Sequence, residues 1–350
     1  MKPLPASAMP EQQDLPFVSV IVPMRNERRY IERCLRSLID QDYPRDRFEV
    51  IVVDGRSTDG SHELVESLRE ELPNMRLMEN RGKHTARGLN IGLAFARGEV
   101  IARVDAHAAV APDYLSKSVA ALRESGADVV GGPLKTVGDS PVSQTVALAL
   151  SSPFGVGNAV FRYSHREQWT DTVAFPAYRR DVFDRMGPFD EIEGGEDDEF
   201  HYRLRDAGGQ ILLTPAIQPT YYARSSFWEL ARQYFGYGQA KVVVLSRHPR
   251  RTRLRQLVPS AFVLALLVSL IMSAFGGVFV LPIAAIGGAY LVASIGASVV
   301  LAWRHGWRHL VRLPFAFLIM HVAYGSGFIV GLVRRAFGQQ VATPREAEAP

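Results

Sequence analysis

Only one cysteine, Cys34, occurs in the 350 residues. No disulfide framework can form within one chain, so cysteine usage calls for no oxidising compartment. Set among the apolar positions of a helical run, Cys34 reads as a small buried residue. The opening stretch "MKPLPASAMPEQQDLP" lacks the apolar core of a secretory signal, and residues 1–16 are expected to be a disordered tail. No strand-like run is followed by G-x-G-x-x-G opening a helix, which argues against a dehydrogenase. Acidic residues are scarce in one region only. Residues 247–350 hold 2 of the 36 Asp and Glu but 11 of the 40 Lys and Arg, so the two parts of the chain meet different surroundings.

Those arginines flank long apolar runs instead of lying on a polar surface interleaved with aromatics, which excludes nucleic acid and favours membrane lipid as partner. Leu257 to Phe275 and Val278 to Trp303 contain no charged residue, and each is close to the roughly 20 residues that cross a bilayer. Leu313 to Val333 is similar in length but carries Pro314, His321 and several glycines. "SRHPRRTRLR" precedes the first run, and positive segments stay inside, so the rest of the chain is expected at the cytoplasmic face of the inner membrane. A third full crossing would leave Arg334 and Arg335 outside. Residues 257–335 are therefore expected to form a two-helix hairpin, with the third segment re-entrant or peripheral, before a disordered tail over 336–350. Residues 226–256 read as an amphipathic interfacial linker. Phe227, Trp228, Leu230, Tyr234 and Phe235 suit headgroup depth, with an ordinary packed helix as the alternative.

Between residues 17 and 225 the pattern is α/β. "FVSVIVP", "FEVIVVDG", "MRLMEN", "EVIARVDA", "ADVVGGP" and "GQILLTP" read as strands, and "RYIERCLRSLIDQ", "HELVESLREEL", "TARGLNIGLAFA", "DYLSKSVAALRESG" and "EDDEFHYRLRDAG" as helices. Such alternation predicts a mainly parallel, Rossmann-like sheet with helices on both faces. Ligands bind beyond the carboxyl ends of such strands. Three of those ends carry polar residues unsuited to a core, "PMRNE", "DGRSTDG" and "DAH", and all three are expected to converge on one edge.

In "DAH", Asp105 and His107 lie two apart, and in an extended chain their side chains would share a side. A carboxylate oxygen and an imidazole nitrogen there could hold a divalent cation, with phosphate oxygens completing the shell; a capping Asp beside a surface histidine is the plainer alternative. Context favours the first. "VSVIVPMRNERRYIERCLRSLIDQDYP", "EVIVVDGRSTDGS", "GLNIGLAFARGEVIARVDAH" and "GGEDDEFHYRLRDAG" occur in the order and approximate spacing of the family 2 glycosyltransferases. The chain resembles in particular the membrane-attached bacterial exopolysaccharide enzymes of the succinoglycan glucosyltransferase type, over residues 17 to about 245.

The resemblance implies a GT-A fold, a nucleoside diphosphate sugar donor, expected here to be a UDP-sugar, a divalent cation and inversion at the anomeric carbon. It implies that Pro23, Arg25, Glu27 and Asp54 belong to the nucleoside pocket, with Lys83 and Arg87 near the nucleotide or its phosphates. A solvated helix start is the alternative for those two, and a turn-forming Asp in "DG" is the alternative for Asp54. Asp59-Gly60 reads as a turn or helix cap. Asp105 matches the first aspartate of the family's Asp-x-Asp element; His107 replaces the second, which tilts the choice between Mn²⁺ and Mg²⁺ toward manganese. Glu196-Asp197 matches the second acidic motif, with Asp197 as general base toward a hydroxyl of a glycan acceptor, expected to be lipid-linked. Acidic residues also suit a helix first turn for the dipole alone, a reading that fits Asp198 and Glu199. Arg224, Arg232 and Lys241 are placed at the diphosphate or at lipid headgroups, and Gly236 stands where many relatives have arginine. Two other functions remain: a polyprenyl-phosphate glycosyltransferase, and a non-catalytic nucleotide-sugar-binding membrane subunit.

Overall fold

The computed structural model describes residues 15–339 apart from 193, 277 and 279. The expected tails therefore lie mostly outside the described residues. At the N-terminal end Leu15 is packed in the core and the Pro16 carbonyl accepts a hydrogen bond from the Tyr43 hydroxyl, so the ordered domain starts before residue 17.

Alternation holds through the first half: β1 (Val18–Met24), α1 (Ile31–Ile39), β2 (Phe48–Asp54), α2 (Ser61–Ser67), β3 (Met75–Glu79), α3 (Thr85–Phe95) and β4 (Val100–Arg103). Then come β5 (Ala108–Val110), α4 (Tyr114–Ser125), β6 (Val129–Gly132), β7 (Lys135–Val137), α5 (Pro141–Leu150), α6 (Pro153–Val156), β8 (Gln168–Trp169), β9 (Ala174–Arg179) and α7 (Asp181–Met186). The remainder is α8 (Glu196–Asp206), β10 (Ile211–Leu213), β11 (Pro219–Tyr222), α9 (Phe227–Arg247), α10 (Leu254–Ser273), α11 (Val280–His305) and α12 (Arg312–Ala336).

Eight strands form one sheet in the order β3-β2-β1-β4-β9-β6-β10-β8. β1 to β4 are mutually parallel where they pair, β6 pairs parallel with β10, and β9 runs antiparallel between β4 and β6. A smaller sheet, β5-β11-β7, lies apart. The central strands are buried on both faces, which is why they read as continuous apolar runs. Val18, Val20 and Val22 join one core with Ile31, Cys34, Leu35 and Leu38 of α1, whereas Ile21, Ile51 and Val53 join a second with Leu89 of α3 and Phe200 of α8. Period-two alternation thus feeds two helix layers. Cys34 is fully buried, and burial pushes its thiol well above the usual range, in keeping with a packing role.

Two expectations change at the C-terminal side. α9 is neither linker nor surface helix: Leu230 and Tyr234 sit in the core, and only Trp228 among its expected headgroup aromatics is strongly exposed. α12 is one unbroken helix, without the break a re-entrant segment needs, and Leu313, Ala316, Phe317 and Met320 complete the same core. A Cβ at Gly327 would run into the Phe235 carbonyl, and one at Gly238 into that of Tyr324, so α9 and α12 touch backbone to backbone. The folded domain consequently extends past residue 225 to include both. α10, α11 and α12 are each long and apolar enough to cross a membrane; α12 has a far larger buried share than the other two.

Candidate active site

The strand order reverses between β1 and β4, and register aligns their neighbours' ends: Met24 stands opposite Asp54, Asp54 opposite Glu79, and Ile21 opposite Arg103. A cavity of about 720 Å³ opens there, as expected for the carboxyl edge of such a sheet. It brings together Pro23, Arg25, Glu27, Lys83, Asp105, His107, Glu196, Asp197, Arg224 and Arg232. Asp54, Arg87 and Lys241 do not line it.

The loops after β1 and β2 are stapled to each other. Asn26 N–H donates to Ser57 Oγ at 2.9 Å, Glu27 N–H to Ser61 Oγ at 2.8 Å, Arg28 N–H to Asp59 Oδ2 at 3.0 Å, and Thr58 N–H to Asn26 Oδ1 at 2.8 Å. Asn26 and Arg56 in these connections, and Lys83 in the loop after β3, hold left-handed backbone angles, a cost that persists only where surroundings impose it. Asp54 is occupied by this stapling. It accepts from the Ser57 amide at 3.0 Å and hydroxyl at 2.6 Å, and lies 3.0 Å from His62 Nδ1, so its observed partners belong to the following loop and the first turn of α2. Arg87 is exposed and folds over Gly82, as a solvated helix start would.

β4 stops at Arg103, three residues earlier than expected, and "DAH" forms a tight turn in which Ala108 N–H donates to the Asp105 carbonyl at 2.9 Å. Asp105 and His107 still share the cavity wall. His107 Nδ1 is 3.0 Å from Glu27 Oε1, which orients the ring and leaves Nε2 as the nitrogen for a ligand. Among the described residues no group of three His, Cys, Asp or Glu gathers to hold a metal ion. One carboxylate and one imidazole nonetheless fit a cation whose remaining positions are filled by a diphosphate, and the nitrogen donor suits Mn²⁺ better than Mg²⁺.

Sequence reasoning missed Arg103. This guanidinium is buried, with Nε 2.8 Å and Nη2 3.4 Å from the two Asp105 oxygens, and Nη2 also donates to Glu196 Oε1 at 2.9 Å. It joins the end of β4 to the start of α8 across the cleft. The signal was present: an arginine inside "VIARVD", a strand buried on both faces, has to be paired. Beside it Asp197 is half-buried and lines the cavity. Burial, reinforced by the Glu196 charge and opposed by Arg103, pushes the Asp197 carboxyl up to about 7.

Lys241 works behind this wall. Its ammonium pairs with Asp198. Burial acts to raise the Asp198 pKa, but the Lys241 charge outweighs it and holds the carboxyl below its usual range. His201 bridges the Thr172 hydroxyl at 2.8 Å and the Tyr178 hydroxyl at 3.1 Å, and burial drives its pKa down to about 4, so it stays neutral. One helix turn therefore carries a carboxyl that keeps a proton near neutrality and a neighbour that does not.

A family model described as glycosyl transferase family 2 matches residues 19–187. Succinoglycan biosynthesis protein ExoA of Rhizobium meliloti is 29% identical over 312 residues, covering 88% of this chain and 93% of that protein. Glycosyltransferase AglE of Haloferax volcanii is 30% identical over 239 residues, covering 67% of this chain and 76% of that one. Among solved structures, the mannosyltransferase PcManGT from Pyrobaculum calidifontis, in complex with GDP-Man and Mn²⁺, superposes with a TM-score of 0.59 at 24% identity, covering 97% of this chain and 92% of that one. At that identity the likeness bears on the fold, and it agrees with the GT-A architecture the motifs imply. The chain belongs to glycosyl transferase family 2 and is a glycosyltransferase.

Proposed function

We propose that this enzyme transfers a sugar, with inversion, from a nucleoside diphosphate sugar to a hydroxyl of a lipid-linked glycan at the cytoplasmic face of the inner membrane. The observation that carries the reading is the shared cavity. Asp105 and His107 stand on one wall, and Asp197, with its raised pKa, on the other. A base poised near the working pH suits removal of an alcohol proton. The acceptor oxygen attacks C1 of the sugar, the bond from C1 to the diphosphate oxygen breaks, and the alcohol proton passes to the Asp197 carboxylate. Pro23, Arg25 and Glu27 shape the nucleoside end, and Lys83, Arg224 and Arg232 bring positive charge to the diphosphate. Asp105 and His107 would hold a divalent cation that neutralises charge on the departing diphosphate.

The lipid link is supported by where the acceptor wall is anchored. Arg232, Gly236 and Tyr237 of α9 line the cavity, and the opposite face of α9 is clamped to α12. We read α10 and α11 as the membrane hairpin, and α12 as lying along the domain with its outward Phe315, Leu318, Leu332 and Val333 toward lipid. Arginines at both ends of α12 then remain on one side. A polyprenyl phosphate acceptor fits less well, because its anion would approach Glu196 and Asp197.

The test is nucleotide release by the detergent-solubilised protein from UDP-sugars and then GDP-sugars, with Mn²⁺ or Mg²⁺, with and without membrane lipid extract. Release stimulated by lipid extract is expected. Equal transfer to a water-soluble glycan and to the extract would remove the lipid-linked part of the reading, and no release from any donor would remove the whole.

A further inference from the structure

Arg103 has more donors than its present partners use, and the surplus is specific. Nε and Nη2 are spent on Asp105, and Nη2 again on Glu196 Oε1. Buried Nη1 of Arg103 and buried Oε2 of Glu196 have no hydrogen-bond partner among the described residues. Those are the two atoms that an end-on, bidentate pair between Arg103 and Glu196 would add to the existing contact of Nη2 with Oε1. A buried polar atom left unpaired is costly, and a forked pairing of arginine with carboxylate is among the strongest hydrogen-bonded arrangements. The side chain thus stands between two pairings, one shared by both carboxylates and one belonging to Glu196 alone.

We propose that Arg103 is a two-position latch linking the donor side of the cleft to the acceptor side. In the position seen here it holds the Asp105 carboxylate. A donor diphosphate arriving with its cation competes for that carboxylate, and the released guanidinium turns end-on to Glu196, pairing the two orphaned atoms. Glu196 immediately precedes Asp197, so donor loading firms the helix start that carries the base. Arg103 is a positioning residue in this scheme, touching neither sugar nor acceptor. The proposal rests on the functional reading above.

A charge-conserving variant separates the latch from general electrostatics. Lysine keeps the positive charge but is a point donor without the fork. In full-length protein in detergent with UDP or GDP present, Mn²⁺ affinity is read from the free Mn²⁺ paramagnetic resonance signal. Arg103→Lys should bind Mn²⁺ about tenfold more tightly than wild type because Asp105 is less firmly held, while acceptor-dependent turnover at saturating donor falls. Glu196→Gln should do the reverse to the cation, weakening Mn²⁺ binding because Arg103 settles on Asp105. Thermal unfolding in the same detergent identifies variants that fold, and either variant alone tests its own sign. Unchanged or weakened Mn²⁺ binding by folded Arg103→Lys, or tightened binding by folded Glu196→Gln, overturns the latch. If wild-type protein binds no Mn²⁺ with either nucleotide, the cation reading fails and takes the latch with it; wild-type binding with unshifted variants overturns the latch alone.

Discussion

The two walls of the cleft are held by different forces. Along the loops after β1 and β2, backbone amides donate to Ser57, Asp59 and Ser61, and the strained Asn26 is kept in place by that stapling. Across the cleft, the polar side of α8, already packed in the core, is tied down by charge: Asp198 on Lys241 of α9, Glu196 on Arg103, with neutral His201 beneath. Amide hydrogen bonds fix a shape, whereas buried charges set which protons stay. A nucleotide presents the same outline throughout the reaction, and an acceptor hydroxyl must lose a proton; each wall is built for the partner it is proposed to meet.

Removing the proposed proton acceptor should break the charge-held wall most severely. Asp197→Asn is expected to lower kcat by about 10²–10⁴ with donor affinity retained, measured by turnover and by nucleotide-sugar titration. Donor affinity lost in parallel would move Asp197 to the other wall. The pH profile sharpens the same point. Because the carboxyl is raised, it is protonated and idle below its pKa, so wild-type kcat should climb as pH rises through about 7. Stability should run the opposite way. Between the unfolded and folded pKa the native state binds more protons, so folding weakens as pH rises through that window. Asp197→Asn should therefore raise the unfolding temperature at pH 8 and leave it unchanged at pH 4, a trade of stability for function.

Lys241→Met ranks next. Leaving Asp198 without its cation should cost about 2 kcal/mol, less than for a fully buried pair because both ends retain some solvent. The unfolding midpoint checks this. In addition, Asp197 should shift with it, since a less settled Asp198 changes the charge beside the base. A midpoint within error of wild type would mean that packing, not charge, holds this wall.

The sheet was legible because a strand buried on both faces has no choice but a continuous apolar run, and β1, β2 and β4 each end where that run meets a polar cluster. Convergence of "PMRNE", "DGRSTDG" and "DAH" followed from topology, and the cavity lies at that edge. Contacts between distant segments were not legible. The resemblance places Asp54 at the nucleoside, and its partners in the structure, Ser57 and His62, are sequence neighbours within eight residues. Arg103 could have been flagged as a buried charge, but nothing local names Glu196, 93 residues away, as its partner. α9 misled for a related reason: an aromatic-rich amphipathic helix looks alike whether its apolar face meets lipid or α12.

The smallest effect is expected at Asn26, where the shape-held wall can be probed without touching charge. Asn26→Gly relieves the left-handed backbone, which glycine adopts freely, but removes the side-chain oxygen that fixes Thr58. These terms oppose each other, so stability should move by only about 0.5 kcal/mol in either direction. The loop is then stapled by fewer bonds, and the donor must order it on binding. KM for the nucleotide sugar should rise a fewfold with kcat unchanged, the pattern of lost uniform binding. A fall in kcat with KM preserved would mean that this loop senses the reaction itself, and the division between a wall that holds outline and a wall that moves protons would have to be redrawn.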